Sequence, residues 1–490
     1  MLWIRQAILN SLAALAIFCM TVATPRSLLA QTSANQGQLT SPASGVFVSG
    51  PLGTQSPFLG SVPMGRPTGT VISLSLGDAL DRGLKYNLGL IESDLGTRTA
   101  RAERLKTLSE LLPNVIASVS QTAEQVNLRA LGLKLPLPGF PVVVGPFGVE
   151  DARAYWSQKL FDWNAVEKLR ASQKSLRASD YSYKNSRDLV ILVVANAYLQ
   201  VLSDRATVES QQAQLETSRA LYQRALDQTK AGVAARIDEL RANVELQTQQ
   251  QRLIAAQDQQ AKDFLSLARA IGLPPGQDFT LTDSAAYAPL QGVTLEKALQ
   301  DAYANRSDYL SAQLEVQAAE LSRKAAAAEN YPSVSSQVDY GDIGPNFANS
   351  HGTFSAAASV NIPIFQGTRV RGDVLEADAK LQRRRAEVQD LRGRIDQDVR
   401  SAFLDLTSAT DLVNVAQSNK GLARETLSEA QDRFGAGVTD NIEVVQAQES
   451  VSAADQAYIS SLYAFNIAKV QLARAMGVAE QAVKTYLGGQ

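Results

Sequence analysis

The chain contains 490 residues, and its 47 basic and 49 acidic side chains leave a formal net charge of −2. That balance provides no basic surface for nucleic acid, so no nucleic-acid partner is predicted. The only histidine is His351, in the loop-like stretch "NFANSHGTF". One chain therefore cannot build a histidine-based metal cluster, and a Ser-His-Asp triad would depend on that single histidine. With no Gly-rich phosphate loop, the sequence disfavours an enzyme and predicts no metal and no cofactor.

Residues 1–30 are typical of an export signal. The apolar stretch "AILNSLAALAIFCMTVAT" is followed by small residues, which predicts cleavage after Ala30. A retained membrane anchor is the alternative, because this span is long enough to cross a bilayer. Cys19, the only cysteine, lies inside the segment, so we expect no thiol in the exported chain. Residues 31–72 are rich in Gly, Pro, Ser and Thr and are predicted to form a flexible lead-in.

From residue 73 onward the chain is a tandem repeat of a unit of roughly 200 residues. The stretch "DQTKAGVAARIDELRAN" returns as "DRFGAGVTDNIEVVQAQ", and its glycines, Gly232 and Gly437, lie 205 positions apart. The helix end "LARAIGL" returns as "LARAMGV" at the same spacing. The first repeat, the linker, the second repeat and the C-terminal tail are placed at 73–273, 274–292, 293–478 and 479–490.

Each repeat is predicted to contain a helix, a β-hairpin, a very long helix, a glycine turn and another long helix. The strands are predicted because apolar and polar residues alternate, as in "TFSAAASVNIPI" at 353–364. A half-buried sheet of a soluble protein alternates in the same way. The long helices would each measure about 100 Å at 1.5 Å per residue. The hairpins, long helices and glycine turns of the two repeats are placed at 113–163 and 332–366, at about 165–231 and 369–434, and at 231–238 and 435–443.

The last long helix has a strict seven-residue pattern, with Val444, Val451, Tyr458, Phe465 and Leu472 at one position, which is coiled-coil spacing. The joints between helices are expected at one level, as an equatorial belt. Four strands with one polar and one apolar face leave two open edges, and open edges are not tolerated in lipid. Several chains must therefore pool their strands, and three chains would supply twelve.

This arrangement resembles the TolC-type outer-membrane efflux protein family. The resemblance covers about 73–480 and depends on the doubled unit, the "FDWN" and "FQGT" junctions, the "RFGAGVTDNIEVVQAQ" turn and the "LARAMG" helix end. It implies a mixed α and β fold: a homotrimeric twelve-stranded β-barrel in outer-membrane lipid, four strands per chain, continued by a twelve-helix α-barrel in the periplasm, with an equatorial belt. It also implies two kinds of partner, a periplasmic adaptor protein and an inner-membrane efflux pump or secretion ATPase.

The two glycine turns would form the periplasmic tip of such a tunnel. Gly232 and Gly437 allow the tight reversal between helices. In the family, residues at the positions of Val233 and Val438 contact the adaptor, and the resemblance implies the same role here.

Asp238 and Glu443 occupy positions where the family has acidic residues near the aperture, which makes them candidate gate residues. Rings of carboxylates would favour cations. A capping role is the alternative, because acidic residues stabilise a helix N-terminus. The family often has a tyrosine and an arginine near the second turn, where this chain has Phe434 and Thr439. Arg236 could replace that arginine by pairing with an acid, or could face solvent.

The leading functional hypothesis is therefore a passive exit duct for drug efflux or type I protein secretion. An exported coiled-coil scaffold without channel activity is the main alternative, although it does not explain the alternating segments. An exported enzyme has only the single histidine in its favour. The long apolar loop at 128–148 fits a contact with lipid, with a partner or with the barrel mouth.

Overall fold

The computed structural model describes residues 56–132, 141–284, 287–290, 292–436, 438–439 and 441–487. The predicted export signal, most of the lead-in and part of the 128–148 loop lie outside these ranges. Gly437, one of the two tip glycines, lies outside them too.

The described elements follow the same order twice. In the first half they are β1 (Ile72–Leu74), α1 (Leu76–Tyr86), α2 (Leu88–Ser109), β2 (Asn114–Asn127), β3 (Val143–Phe161), α3 (Trp163–Lys230) and α4 (Arg236–Ala270). In the second half they are β4 (Phe279–Leu281), α5 (Leu295–Asn305), α6 (Ser307–Ala327), β5 (Ser333–Gly344), β6 (His351–Asn361), α7 (Arg369–Gly435) and α8 (Asn441–Ala475), followed by α9 (Ala479–Tyr486).

The four long strands form one antiparallel sheet with the order β2-β3-β5-β6. Each repeat supplies one hairpin, and β3 pairs with β5 to join the two hairpins. Within the described residues, β2 and β6 each have one unpaired edge. The sheet is therefore open at both sides in a single chain.

The helices follow the same lateral order as the strands. Helices α2 and α4, which are both shorter than α3, pack along it, and α6 and α8 pack between α3 and α7. Asp162 begins α3 directly after the sheet, because its side chain accepts a hydrogen bond from the Ala165 N–H at 3.2 Å. Strand order and helix order agree because each hairpin connects a short helix to the long helix beside it.

The largest apolar core lies where the helices are joined, at the level of the predicted belt. There β1 and β4 pair in parallel, and Leu74 and Phe279 pack against the middle of α3. The Tyr198 hydroxyl, buried in this core, donates to Asp283 Oδ2 at 2.9 Å. The apolar middle of α3 contains the 18-residue stretch that could cross a membrane by length and composition, but 56% of it is buried in the protein. We assign it to the belt core.

Several equivalent residues of the two repeats are buried alike. Val194 and Val399 are equivalent positions of α3 and α7 and both are fully buried, as are Leu267 and Leu472 near the ends of α4 and α8. Each of these last helices ends at a glycine with positive φ: 70° at Gly272 and 73° at its counterpart in the second repeat. The doubled sequence therefore produces a doubled structure.

The chain bends sharply between α1 and α2 and between α5 and α6. Asn87 has φ −65° and Arg306 has φ −61°, values close to the one that a proline ring imposes. Asn87 holds its bend by donating to the Phe58 carbonyl at 2.7 Å. Arg306 donates to Asp308 at 2.7 Å and to Asp398 at 2.9 Å. Side-chain contacts therefore hold both bends.

Candidate functional site: helix tips, sheet faces and belt

The first glycine turn reverses the chain between α3 and α4. Gly232 has φ +73°, a left-handed conformation that glycine adopts without strain. Its N–H donates to the Thr229 carbonyl at 3.1 Å, and the Val233 N–H donates to the Gln228 carbonyl at 3.0 Å. This pair of bonds is the Schellman arrangement that ends helices at glycine.

The second turn has the same bond at its described positions. The Val438 N–H donates to the Arg433 carbonyl at 3.0 Å, five residues back, as Val233 does in the first turn. Within the described residues, Val233 and Val438 are 75% and 70% exposed. Each tip thus presents an aliphatic side chain to solvent.

The two candidate gate acids have different partners. Glu443, at the start of α8, accepts from Arg433 Nη1 at 2.7 Å and from the Thr439 hydroxyl. Asp238, at the start of α4, lies 3.6 Å from Arg241 on its own helix. The sequence interpretation did not predict that Arg433 is the partner of Glu443. The two residues lie on either side of a recognised turn and only ten positions apart in the sequence. Their pairing could therefore have been inferred from the turn.

Phe434 and Arg236 do not meet in the described chain. Phe434 packs against an apolar cluster that contains Leu221, Ala430 and Val444, and it is partly buried there. Arg236 is exposed, and no ion pair joins it to another described residue. Within one chain, Phe434 therefore stabilises the contact between α3, α7 and α8, and Arg236 faces solvent.

The pairing register divides the sheet into a polar and an apolar face. Arg153 lies opposite Ser118 on one side and Gly341 on the other, and Tyr155 lies opposite Asp339. The alternate positions carry apolar side chains that are largely exposed in a single chain, including Val115, Val119, Tyr340, Phe354 and Val360. A sheet in water would bury such a face, whereas a sheet in lipid would expose it.

An ion pair joins the belt to the C-terminal helix α9. Arg187 of α3 binds Glu480 of α9 through two hydrogen bonds. Beside it, burial raises the pKa of Asp188 to about 6, although Arg474 of α8 lowers it in part. Desolvation of its guanidinium lowers the pKa of Arg474, which donates to Asn185 at 2.7 Å. The sequence interpretation did not identify this network, because its members come from three separate helices.

Among the residues that the structure describes, no group of three or more histidine, cysteine, aspartate or glutamate side chains is placed to hold a metal ion. His351 lies at the start of β6 and is exposed.

The sequence matches the family model described as "Outer membrane efflux protein" over residues 151–273 and 298–478. Protein CyaE of Bordetella pertussis is 25% identical over 412 residues, which cover 82% of this chain and 84% of that protein. The toluene efflux pump outer membrane protein TtgC of Pseudomonas putida is 24% identical over 318 residues, which cover 61% of this chain and 63% of TtgC.

The fold also matches solved outer-membrane channels. The CmeC outer membrane channel of Campylobacter jejuni superposes with a TM-score of 0.73 at 15% identity, over 92% of this chain and 98% of CmeC. At this level of identity the match establishes the fold.

Proposed function

Because the chain belongs to the outer membrane efflux protein family, we propose that three copies assemble into the exit duct of a tripartite efflux or secretion system. The protein is an outer-membrane channel protein whose helical part extends into the periplasm. The observation that supports the duct most directly is the sheet, which has one polar face, one apolar face and two unpaired edges.

The two repeats differ in what covers their long helices, and this difference supports an assembly of several chains. Leu199 on α3 and Leu404 on α7 are equivalent positions, yet Leu199 is 5% exposed and Leu404 is 68% exposed. Leu199 is covered because α8 packs along α3 and lines a cavity of about 540 Å³ with it. Along α7 the equivalent partner would be an α4 helix, and no α4 lies there within one chain.

The α4 helix also exposes apolar residues whose equivalents on α8 are buried. Ile254 is 59% exposed, while its equivalent on α8, Ile459, is 9% exposed. Leu265 is likewise exposed, and its equivalent Val470 is fully buried. An α4 helix of one chain placed on α7 of the next would cover both apolar faces, in the way that α8 covers α3. Repeating this contact around a ring buries the exposed stripes.

The sheet edges would close in the same step. With β2 at one edge and β6 at the other, β6 of one chain would pair with β2 of the next. Closure removes the open edges, which lipid does not tolerate. Three chains would give twelve strands, whose apolar face meets lipid and whose polar face lines the lumen.

The tips are proposed to bind the periplasmic adaptor. Val233 and Val438 are exposed, and the N–H of each donates to the carbonyl five residues back, so a partner would meet apolar side chains on a hydrogen-bonded backbone. Preorganised apolar contacts of this kind lose little entropy on binding. Energy for transport would come from an inner-membrane pump or secretion ATPase, and the duct itself would be passive.

The test is the mass and conductance of protein extracted from outer membranes in mild detergent. A trimer by light scattering that forms conducting channels in planar bilayers would support the duct. A monomer or dimer released from the periplasm without detergent would contradict it. That result would favour the coiled-coil scaffold, which needs no membrane.

A further inference from the structure

The polar face of the sheet carries one compact group of charges that the duct function does not explain. We propose that Asp151, Arg153 and Asp339 form a charged collar in the barrel lumen that makes the barrel cation-selective, independently of the periplasmic tip. The inference depends on the proposed trimeric barrel, since only closure places this face around a lumen.

The group is held together by direct contacts across two strands. Arg153 on β3 donates from Nε to Asp151 Oδ1 at 2.7 Å and from Nη1 to Asp339 Oδ2 on β5 at 3.2 Å. Its guanidinium also lies 5.3 Å from the centre of the Tyr155 ring. The side chains of the three charged residues are each about one-fifth exposed. They are therefore fixed by one another and still reached by solvent.

Gly341 allows this arrangement. It lies opposite Arg153 on β5, and a Cβ there would come 2.6 Å from the Arg153 Cα and 2.9 Å from its Cγ. Without a side chain at 341, Arg153 can lie along the wall of the sheet toward Asp339. The guanidinium is thereby held against the two carboxylates.

The charges do not cancel. Two carboxylates and one guanidinium leave one negative charge per chain, or three around a trimeric barrel. The other charged residues of the four strands on this face are Glu124, near the outer end, and Lys159, which pairs with Asp162 at the inner end at 3.0 Å. The middle of the polar face otherwise carries mostly small or uncharged side chains, such as Ser118, Gln337 and Ser355.

The radius of the proposed barrel brings every permeating ion close to this charge. Twelve strands spaced by about 4.8 Å and tilted by about 40° would close to a backbone radius of about 12 Å. Side chains extend inward from that wall, and the Debye length at about 0.1 M salt is about 10 Å. Every ion in the lumen would therefore pass within roughly one Debye length of the collar and respond to its sign.

The experiment measures the potassium-to-chloride permeability ratio of the full trimer in planar bilayers, from the reversal potential under a KCl gradient. Arg153→Gln should raise the ratio about threefold at about 0.1 M salt, because it adds one uncompensated negative charge per chain. Asp339→Asn should lower it. Arg153→Lys retains the positive charge and should keep the permeability ratio near that of the wild type.

Asp342→Asn is the matched control, since Asp342 lies on the same strand but on the opposite face. A normal conductance with one permeability ratio for all variants would overturn the collar and leave the duct intact. An Asp342→Asn shift as large as that of Asp339→Asn would also overturn it. A wild-type protein that forms no trimer and no channel would overturn the duct and the collar together.

Discussion

Arg433 and Glu443 form an ion pair across the second tip, with Arg433 Nη1 2.7 Å from Glu443 Oε1, so the end of α7 is tied to the start of α8. The first tip has no arginine at the position of Arg433. Gln228 occupies the position of Arg433, and Asp238 lies beside Arg241 on its own helix instead. The ion pairs of the two tips therefore differ: Glu443 pairs across its turn, whereas Asp238 pairs with Arg241 of its own helix.

We expect the second tip to open more readily when this ion pair is removed. Exposed pairs contribute about 0.2–1 kcal/mol, which corresponds to a roughly 1.4- to 5-fold larger open population. Glu443→Gln and Arg433→Gln should both raise single-channel conductance or open probability in planar bilayers. Arg241→Gln, at the first tip, is the control and should change either quantity less. Equal behaviour of all three variants and the wild type would indicate that Glu443 only stabilises its own helix end.

The tip valines provide a second prediction. Val233→Asp and Val438→Asp should each weaken adaptor binding roughly tenfold or more, because burying an unpaired carboxylate at an interface is costly. Export should fall accordingly while the trimer mass stays unchanged. Val438→Thr keeps the shape without the charge and should retain most binding. If both aspartate variants export as well as the wild type, the adaptor binds elsewhere on the protein.

Much of this fold could be predicted from the sequence because its signals are long and repeated. Alternation at 353–364 predicted strands with two different faces, and the pairing register of β6 agrees with it. The glycine turns were recognisable because the same stretch occurs twice. The parallel pair of β1 and β4 was not predictable, since each strand has only three residues and their sequences lie about 205 positions apart. Three residues are too few to show a period.

The charged contacts were harder to predict for a different reason. Arg153 reaches Asp339 from a strand 186 positions away, and neither residue belongs to a motif. Which charges meet depends on the register between hairpins, and that register is fixed by the packing of the whole sheet. The candidate gate residue Phe434 shows the same limit, because it packs in a cluster with Leu221 of another helix.

The complementary exposed faces of α7 and α4 predict a specific contact between chains. A chain with cysteine at both 404 and 254, in a background with Cys19 replaced by serine, should form disulfide-linked dimers and trimers on oxidising gels. Each single substitution, Leu404→Cys or Ile254→Cys, should give none, because equivalent residues of a three-fold assembly lie far apart. If an intact trimer forms without these cross-links, a different pair of helices closes the ring.

Gly477 should be one of the least replaceable residues of the belt. Its φ is +73°, and a Cβ there would lie 2.6 Å from the Arg306 backbone nitrogen. Gly477→Ala should cost about 2 kcal/mol or more, from backbone strain and this contact together. Gly421→Ala is the control: Gly421 lies inside α7 with open space around its Cβ, and the change should stabilise by about 0.5–1 kcal/mol. Thermal midpoints measured by circular dichroism in detergent should fall for Gly477→Ala and rise for Gly421→Ala.

The buried carboxyl of Asp188 should make stability depend on pH. Burial, with the Glu480 carboxylate nearby, raises its pKa to about 6, while Arg474 opposes the shift and Asp308 adds to it. In the unfolded chain the carboxyl has its usual pKa of about 3.9. Between these values the folded state holds a proton that the unfolded state has released, so stability falls as pH rises from about 4 to about 6.

Asp188→Asn should remove that slope, because an amide has no proton to lose and its oxygen can still accept the Glu480 N–H that Asp188 accepts now. Relative to the wild type, the variant should therefore gain stability as the pH is raised through this window and keep the gain above pH 7. The thermal midpoints of the two proteins should be measured across this pH window. They should approach each other toward its acidic end. Parallel curves throughout would mean that Asp188 is charged in the folded belt and that Arg474 compensates its burial.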